Sequence, residues 1–145
     1  MNIRQYKETD FTRLASIYDA ARPHEFYQEE GDFIFTPWSK DEYMMAVFSQ
    51  SKVYVYEEED ILGFCGFTGD RINWLFVDSI NRGEGVGQKL LAYVLCQLEG
   101  SARLSVWKSN ERAKGLYLKS GFRITSEFSL NFQGKERLMN TMVYP

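Results

Sequence analysis

Cysteine, histidine and proline are scarce in this sequence, with 2, 1 and 3 residues among 145. Cys65 and Cys96 stand at no metal-ligand or redox spacing, and both fall in apolar stretches, so they read as two buried thiols. The lone His24 completes no zinc site with them, and no metal is expected. Long apolar runs are missing as well. Nothing approaches the roughly 20 residues that cross a bilayer, and Met1–Lys7 does not open an apolar leader with a small-residue cleavage site. A soluble, cytoplasmic chain without membrane contact is the expectation. Basic charge is in deficit, 17 Lys and Arg against 20 Asp and Glu. A net charge of −3 argues against a general nucleic-acid binder, which needs a basic face, but leaves room for a local basic pocket. Linkers, repeats and low-complexity tracts are also lacking, so residues 1–145 read as one domain.

What is present is apolar and aromatic residues in periodic order, 44% hydrophobic and 16% aromatic, ample for a single core. Ile3–Lys7 alternates weakly, as a first strand. Asp10 can cap a helix carrying Leu14, Ile17, Tyr18 and Ala21 on one face. Pro23, Gly31 and Pro37 break the segment from Arg22 to Trp38. Ser39-Lys40-Asp41-Glu42 has the form of a capping box, and the helix it opens pairs Tyr43 with Val47 and Met44 with Phe48 at i, i+4. Val53–Tyr56, Ile61–Phe67 and Ile72–Val77 read as strands. A glycine-rich turn follows, then a helix carrying Leu90, Leu91, Val94, Leu95 and Leu98 and ended by Gly100. Ala102–Trp107 is a strand, Asn110–Ser120 a helix stopped by Gly121, and Phe122–Phe132 and Arg137–Val143 the last two strands. The order βααβββαβαββ is an α/β (α+β) pattern with antiparallel hairpins. Ile72–Val77, the helix and Ala102–Trp107 form a βαβ unit whose strands run parallel, and ligands of such sheets sit at the carboxyl ends of the strands.

Arg82-Gly83-Glu84-Gly85-Val86-Gly87 lies at that strand-to-helix junction. Glycines there let the backbone approach a ligand, the free N–H groups of the helix's first turn point at an anion, and Arg82 adds a cation that can fork onto phosphate oxygens. A pyrophosphate is the natural occupant. A nucleotide P-loop is excluded because Gly83 is followed five places on by Gln88. A dinucleotide Gly-x-Gly-x-x-Gly is excluded because Gly85-x-Gly87 is followed by Leu90.

Leu75-Phe76-Val77-Asp78, a short spacer and Arg82–Gly87 together resemble the acetyl-CoA motif of the GNAT N-acetyltransferase superfamily, Gln/Arg-x-x-Gly-x-Gly/Ala, met here by Arg82, Gly85 and Gly87. A second signature is matched by Asn110, Ala113, Tyr117 and Gly121-Phe122, and the element order is similar over nearly the whole chain. The resemblance implies the GNAT fold, a mixed central sheet of about six to seven strands flanked by about four helices. It implies acetyl-CoA as co-substrate, with Arg82 and the backbone N–H groups of Gly83, Glu84, Gly85, Val86, Gly87 and Gln88 on its pyrophosphate. Leu75, Phe76 and Val77 would pair with the pantetheine arm like an added strand. A bulge at the end of that strand would aim the N–H of Phe76 or Val77 at the thioester oxygen. The side chains of Leu75 and Val77 read as core. Asn110 would both cap its helix and touch the cofactor. Tyr117 is either a packed aromatic beside Ala113 and Leu116 or, as in the family, the acid that protonates the departing thiolate. Lys89 and Lys114 read as surface lysines rather than phosphate ligands.

Some members of the superfamily use a glutamate as base on the strand before Asn110, at the place held here by Ser105, which cannot serve unaided. His24, Glu25, Asp78 and a water chain stay open for that role. In the family the segment His24–Trp38 lines the acceptor side. Here it holds Glu25, Glu29, Glu30 and Asp32 with no Lys or Arg, interleaved with Phe26, Tyr27, Phe33, Phe35 and Trp38. That mixture suits a cationic amine, or else is a solvated acidic loop. The expected activity is direct transfer of acetyl from acetyl-CoA to a primary amine, of a small molecule or of a protein lysine or N-terminus, with no covalent enzyme intermediate. A homodimer and a longer acyl chain stay open. The rival reading is a non-catalytic acyl-CoA-binding sensor.

Overall fold

The computed structural model describes residues 2–145. Seven strands form one sheet: β1 (Ile3–Gln5), β2 (Lys52–Glu57), β3 (Ile61–Thr68), β4 (Arg71–Val77), β5 (Ala102–Trp107), β6 (Arg123–Phe132) and β7 (Lys135–Tyr144). Their order across the sheet is β1-β2-β3-β4-β5-β7-β6, and every neighbouring pair is antiparallel except β4 and β5. Four helices flank it: α1 (Phe11–Ala21), α2 (Glu42–Gln50), α3 (Val86–Gln97) and α4 (Glu111–Lys119).

Period-two alternation sorts the strand side chains into two cores. Val53 and Val55 of β2 face the helices α1 and α2, where Trp38, Tyr18, Phe48 and Phe64 pack. Tyr54 and Tyr56 of the same strand face α3. In β4 the alternation is interrupted. Gly66 pairs with Trp74 and Phe67 with Ile72, so Asn73 is an inserted residue. Ile72 therefore faces α3, while Trp74 and Phe76, which would otherwise share its face, turn to α1 and α2. The bulge thus lies at Asn73 and not at the end of β4, where it was expected. Its physical reason is packing: two large aromatics are sent to one side and Leu75 and Val77 to the other.

Two caps differ from expectation. Trp38–Lys40 forms a single 3-10 turn, so α2 starts later and Asp41, not Ser39, accepts from Met44 N at 3.1 Å. Burying Trp38, which is 0% exposed, dictates that earlier turn. Asp10 precedes α1, but its carboxylate turns back to Lys7 N at 2.8 Å and to the Arg4 guanidinium at 2.9 and 3.0 Å. Cys65 is buried as expected, whereas Cys96 is exposed, one position past the apolar stripe that α3 lays on the sheet.

Candidate active site

Parallel β4 and β5 are registered only at Arg71↔Arg103 and part towards their carboxyl ends. A cleft of about 990 Å³ opens there, walled by β4, the glycine turn, α3, α4 and the segment after α1. Asp78 N donates to Leu62 O at 2.8 Å. With Val77 opposite Gly63, Phe76 opposite Phe64 and Leu75 opposite Cys65, ladder alternation turns the Phe76 N–H to β3 and those of Leu75 and Val77 to the cleft.

At the mouth, Gly83 and Gly85 sit at φ +84° and +83°, a region closed to most residues, and bring the chain round to α3. Lys89 N donates to Gly85 O at 3.0 Å, so the N–H groups just inside the helix have no intrahelical acceptor. Arg82 lines the same mouth. Burial and the neighbouring Arg112 guanidinium both push its pKa down, as expected of a partly buried cation beside a second one. Of the residues singled out in the sequence, Leu75, Phe76, Val77, Arg82, Gly83, Gly85, Val86, Gly87, Gln88, Asn110 and Tyr117 all line this cleft. The side chain of Glu84 is exposed and does not. Asn110 caps α4 by accepting from Ala113 N at 3.2 Å.

Arg112 and Lys119 line the cleft too, and sequence reasoning missed both. Arg112 stands two positions after Asn110, close enough for that cap to have pointed to it. Lys89 lies instead 5.9 Å over the Tyr56 ring, away from the cleft wall. Lys114 is no surface lysine: it is buried, donating to Lys108 O at 2.7 Å and pairing with Glu111 at 3.2 Å.

Tyr117 projects from α4 into the cleft beside Phe122, with ring centroids 5.7 Å apart. Burial above all, with Cys65 and Glu25 adding to it, pushes its phenol up, so it stays protonated throughout the neutral range. Burial likewise pushes the Cys65 thiol up to about 12, leaving no thiolate to act as a nucleophile. Among the candidate bases, Asp78 is held ionised and low by Arg13 at 2.6 Å and also accepts from Ile80 N. His24 is exposed at the rim, its ring 4.5 Å from that of Tyr27. Ser105 accepts from Arg71 at 3.0 Å and lies outside the cleft wall. Glu25 lines the cleft, paired with Arg22, and burial raises its pKa despite that partner.

The acidic segment is only partly available to a ligand. Glu29 is bonded to Ser109 Oγ and sits 3.5 Å from Arg137, and Arg137 also donates to Glu30 O. Gln133 clamps Ile34 by both backbone atoms, at 2.9 and 2.7 Å. Phe26, Phe33, Phe132 and Trp107 stack beneath, and Trp38 belongs wholly to the core. Glu25, Tyr27, His24 and Gln28 are the members of this segment that face the cleft.

Fold and cleft together define an α/β domain whose splayed pair of parallel strands opens a cleft with two neighbouring guanidiniums at its mouth. Residues 49–124, more than half of the chain, match the family model described as the acetyltransferase (GNAT) domain, and the chain belongs to that family. It is 31% identical over 93 residues to the peptidyl-lysine N-acetyltransferase YjaB of Salmonella typhimurium, an alignment that covers 64% of this chain and 63% of that protein. The chain thus matches less than two thirds of that relative's length. The solution structure of apo-form YjaB from Escherichia coli superposes with a TM-score of 0.73 at 26% identity, covering 98% of this chain and 95% of that one. The structure of yncA from Salmonella typhimurium with its cofactor acetyl-CoA shares the fold, with a TM-score of 0.72 at 18% identity over 99% of this chain and 92% of that one.

Proposed function

We propose that the protein transfers an acetyl group from acetyl-CoA to a primary amine by direct attack in a ternary complex, and that the amine is a protein lysine. The observation that carries this reading is the cleft itself, with paired guanidiniums and free helix N–H groups at its mouth and the Tyr117 phenol within. The anion-seeking mouth fits a pyrophosphate, and the acetyl-CoA of the fold neighbour supports that choice. Arg82 and the backbone from Gly83 to Gln88 hold the pyrophosphate. The cleft-facing N–H groups of Leu75 and Val77 pair with the pantetheine amides, and that of Val77 lies at the strand end, where an oxyanion would need a donor. Tyr117 supplies the proton that the leaving thiolate takes. The lysine acceptor is the class named for the YjaB relative.

Measuring thiol release from acetyl-CoA with lysine peptides, N-terminal peptides and small amines tests the proposal. Release with lysine peptides above the others supports it in full. Tight acetyl-CoA binding without turnover on any amine assigns the cleft to a sensor instead.

A further inference from the structure

A lysine ammonium has a pKa of about 10.4 and is almost wholly protonated at neutral pH, so attack on a thioester requires a group that takes its proton. Four carboxylates or imidazoles stand in or beside the cleft, and the structure separates them. Glu111 lines it, but its side chain is 82% exposed and paired with Lys114 at 3.2 Å. Asp78 is consumed by Arg13 and by the turn it caps, and it does not line the cleft. His24 is exposed at the rim. Glu25 stands in the wall of the cleft that also holds Tyr117 and Val77, three residues after the Arg22 that holds it.

We propose that Glu25 is the general base of the transfer, held in the cleft by Arg22 and facing the amine that enters between the segment after α1 and α4. The inference rests on the acetyl-transfer reading. Arg22 fixes the carboxylate from its own turn, with its guanidinium held over the Phe26 ring (guanidinium carbon 5.2 Å from the ring centre), so the base need not be ordered at the moment of reaction. The charged and titratable groups that face Glu25 are Arg22, Arg82 across the mouth, Tyr117 from α4 and Tyr18 from α1. Burial of Glu25 outweighs both guanidiniums and raises its basicity, which narrows the gap to a bound ammonium. In the reaction the ammonium gives one proton to Glu25, and the amine nitrogen bonds to the acetyl carbon. The carbon–sulfur bond then breaks and the thiolate takes the Tyr117 proton. The surplus proton on the new amide nitrogen returns to the Tyr117 phenolate through cleft water. Glu25 releases its proton to solvent, so one ammonium and one thioester yield amide, thiol and one proton.

The test uses acetyl-CoA and Nα-acetyl-lysine methylamide, with thiol release followed across mildly acid to alkaline pH. Glu25→Gln is expected to lower kcat by about 10²- to 10⁴-fold while acetyl-CoA affinity holds within about twofold. The acid limb of the parent's profile should vanish. The variant's rate should instead climb about tenfold per pH unit, tracking free amine towards its own pKa. Formate should restore part of the activity of Glu25→Ala. Should Glu25→Gln fail to fold because Arg22 loses its partner, Glu25→Asp keeps the charge and withdraws the carboxylate by one methylene, and the same fall in kcat is expected. Unchanged kcat and acid limb in Glu25→Gln, or in a folded Glu25→Asp, overturns the assignment. A parent that binds acetyl-CoA but releases no thiol with any amine overturns the transfer reading, and the base with it.

Discussion

Tyr117 and Glu25 share one cleft, and the same burial acts on both with different consequences. The half-buried phenol is kept protonated, whereas the half-buried carboxyl becomes a stronger base. Environments that favour opposite roles in neighbouring groups are what acid and base assignments require. Tyr117→Phe keeps the ring against Phe122 and removes only the proton. We expect kcat to fall about 10- to 1,000-fold, with acetyl-CoA affinity and melting temperature little changed, because the hydroxyl contributes in the transition state. Parent-like turnover with chemistry shown to be rate-limiting would leave Tyr117 a packing residue. A large loss of thermal stability would make its hydroxyl structural. The place of Tyr117 and the glycines in the cleft was legible in the sequence because the family motifs they match are local spacings. Arg22 as the partner of Glu25 was not, because Pro23 marked the segment as broken, whereas Arg22–Phe26 forms a 3-10 turn that sets the two residues three apart on one side.

At the level of elements, α3 and α4 bring their amino ends to the same cleft, and their dipoles add to the cations there. Arg112 on one turn repels Arg82 on the other, and the proposed pyrophosphate would relieve that repulsion. Arg112→Ala should therefore weaken acetyl-CoA binding about 10- to 100-fold, with a shallower salt dependence. It should also raise the melting temperature of the ligand-free protein at low salt. Calorimetric titration and a thermal scan check both halves, and unchanged affinity would place Arg112 outside the phosphate site. Element order followed from alternation and breaker residues, and so did the strand boundaries to within about two residues. Register within β4 did not, because the bulge at Asn73 is set by which side has room for Trp74 and Phe76. The strap on the acidic segment was equally hidden: Gln133 and Arg137 reach it from 99 and 107 residues away. Local sequence carries no trace of such a pairing. The strap commits Glu29 to the fold, while Glu25 faces the cleft.

Across the whole molecule, charged groups join the first strand and helix to the sheet and give the fold an acid response of definite shape. Arg4 ties Asp10 to Glu57 of β2, and Arg13 ties α1 to Ile61 O and to Asp78 after β4. Hydrogen bonds from the arginines hold Asp10 and Asp78 below their ordinary 3.8. A depressed native pKa means that the unfolded chain binds protons first, so their stabilisation is complete above 3.8 and is lost as pH falls from there towards the native values. Glu25 has the opposite sign. Its native pKa lies above the ordinary 4.5, so the native state binds the proton first, and stability rises as pH falls through that native value towards 4.5. The two effects occupy adjoining windows, so stability should pass through a shallow maximum in mild acid and then fall. Urea midpoints measured from neutral pH down to strong acid check this. Glu25→Gln should abolish the rise while keeping the fall. Asp10→Asn should flatten the fall and cost about 1–3 kcal/mol at neutral pH through its weakened bonds to Lys7 N and Arg4. A parent midpoint that declines steadily from neutral pH would mean that Arg22 dominates Glu25 and holds it ionised, and the carboxyl would then lack the basicity its place in the cleft gives it.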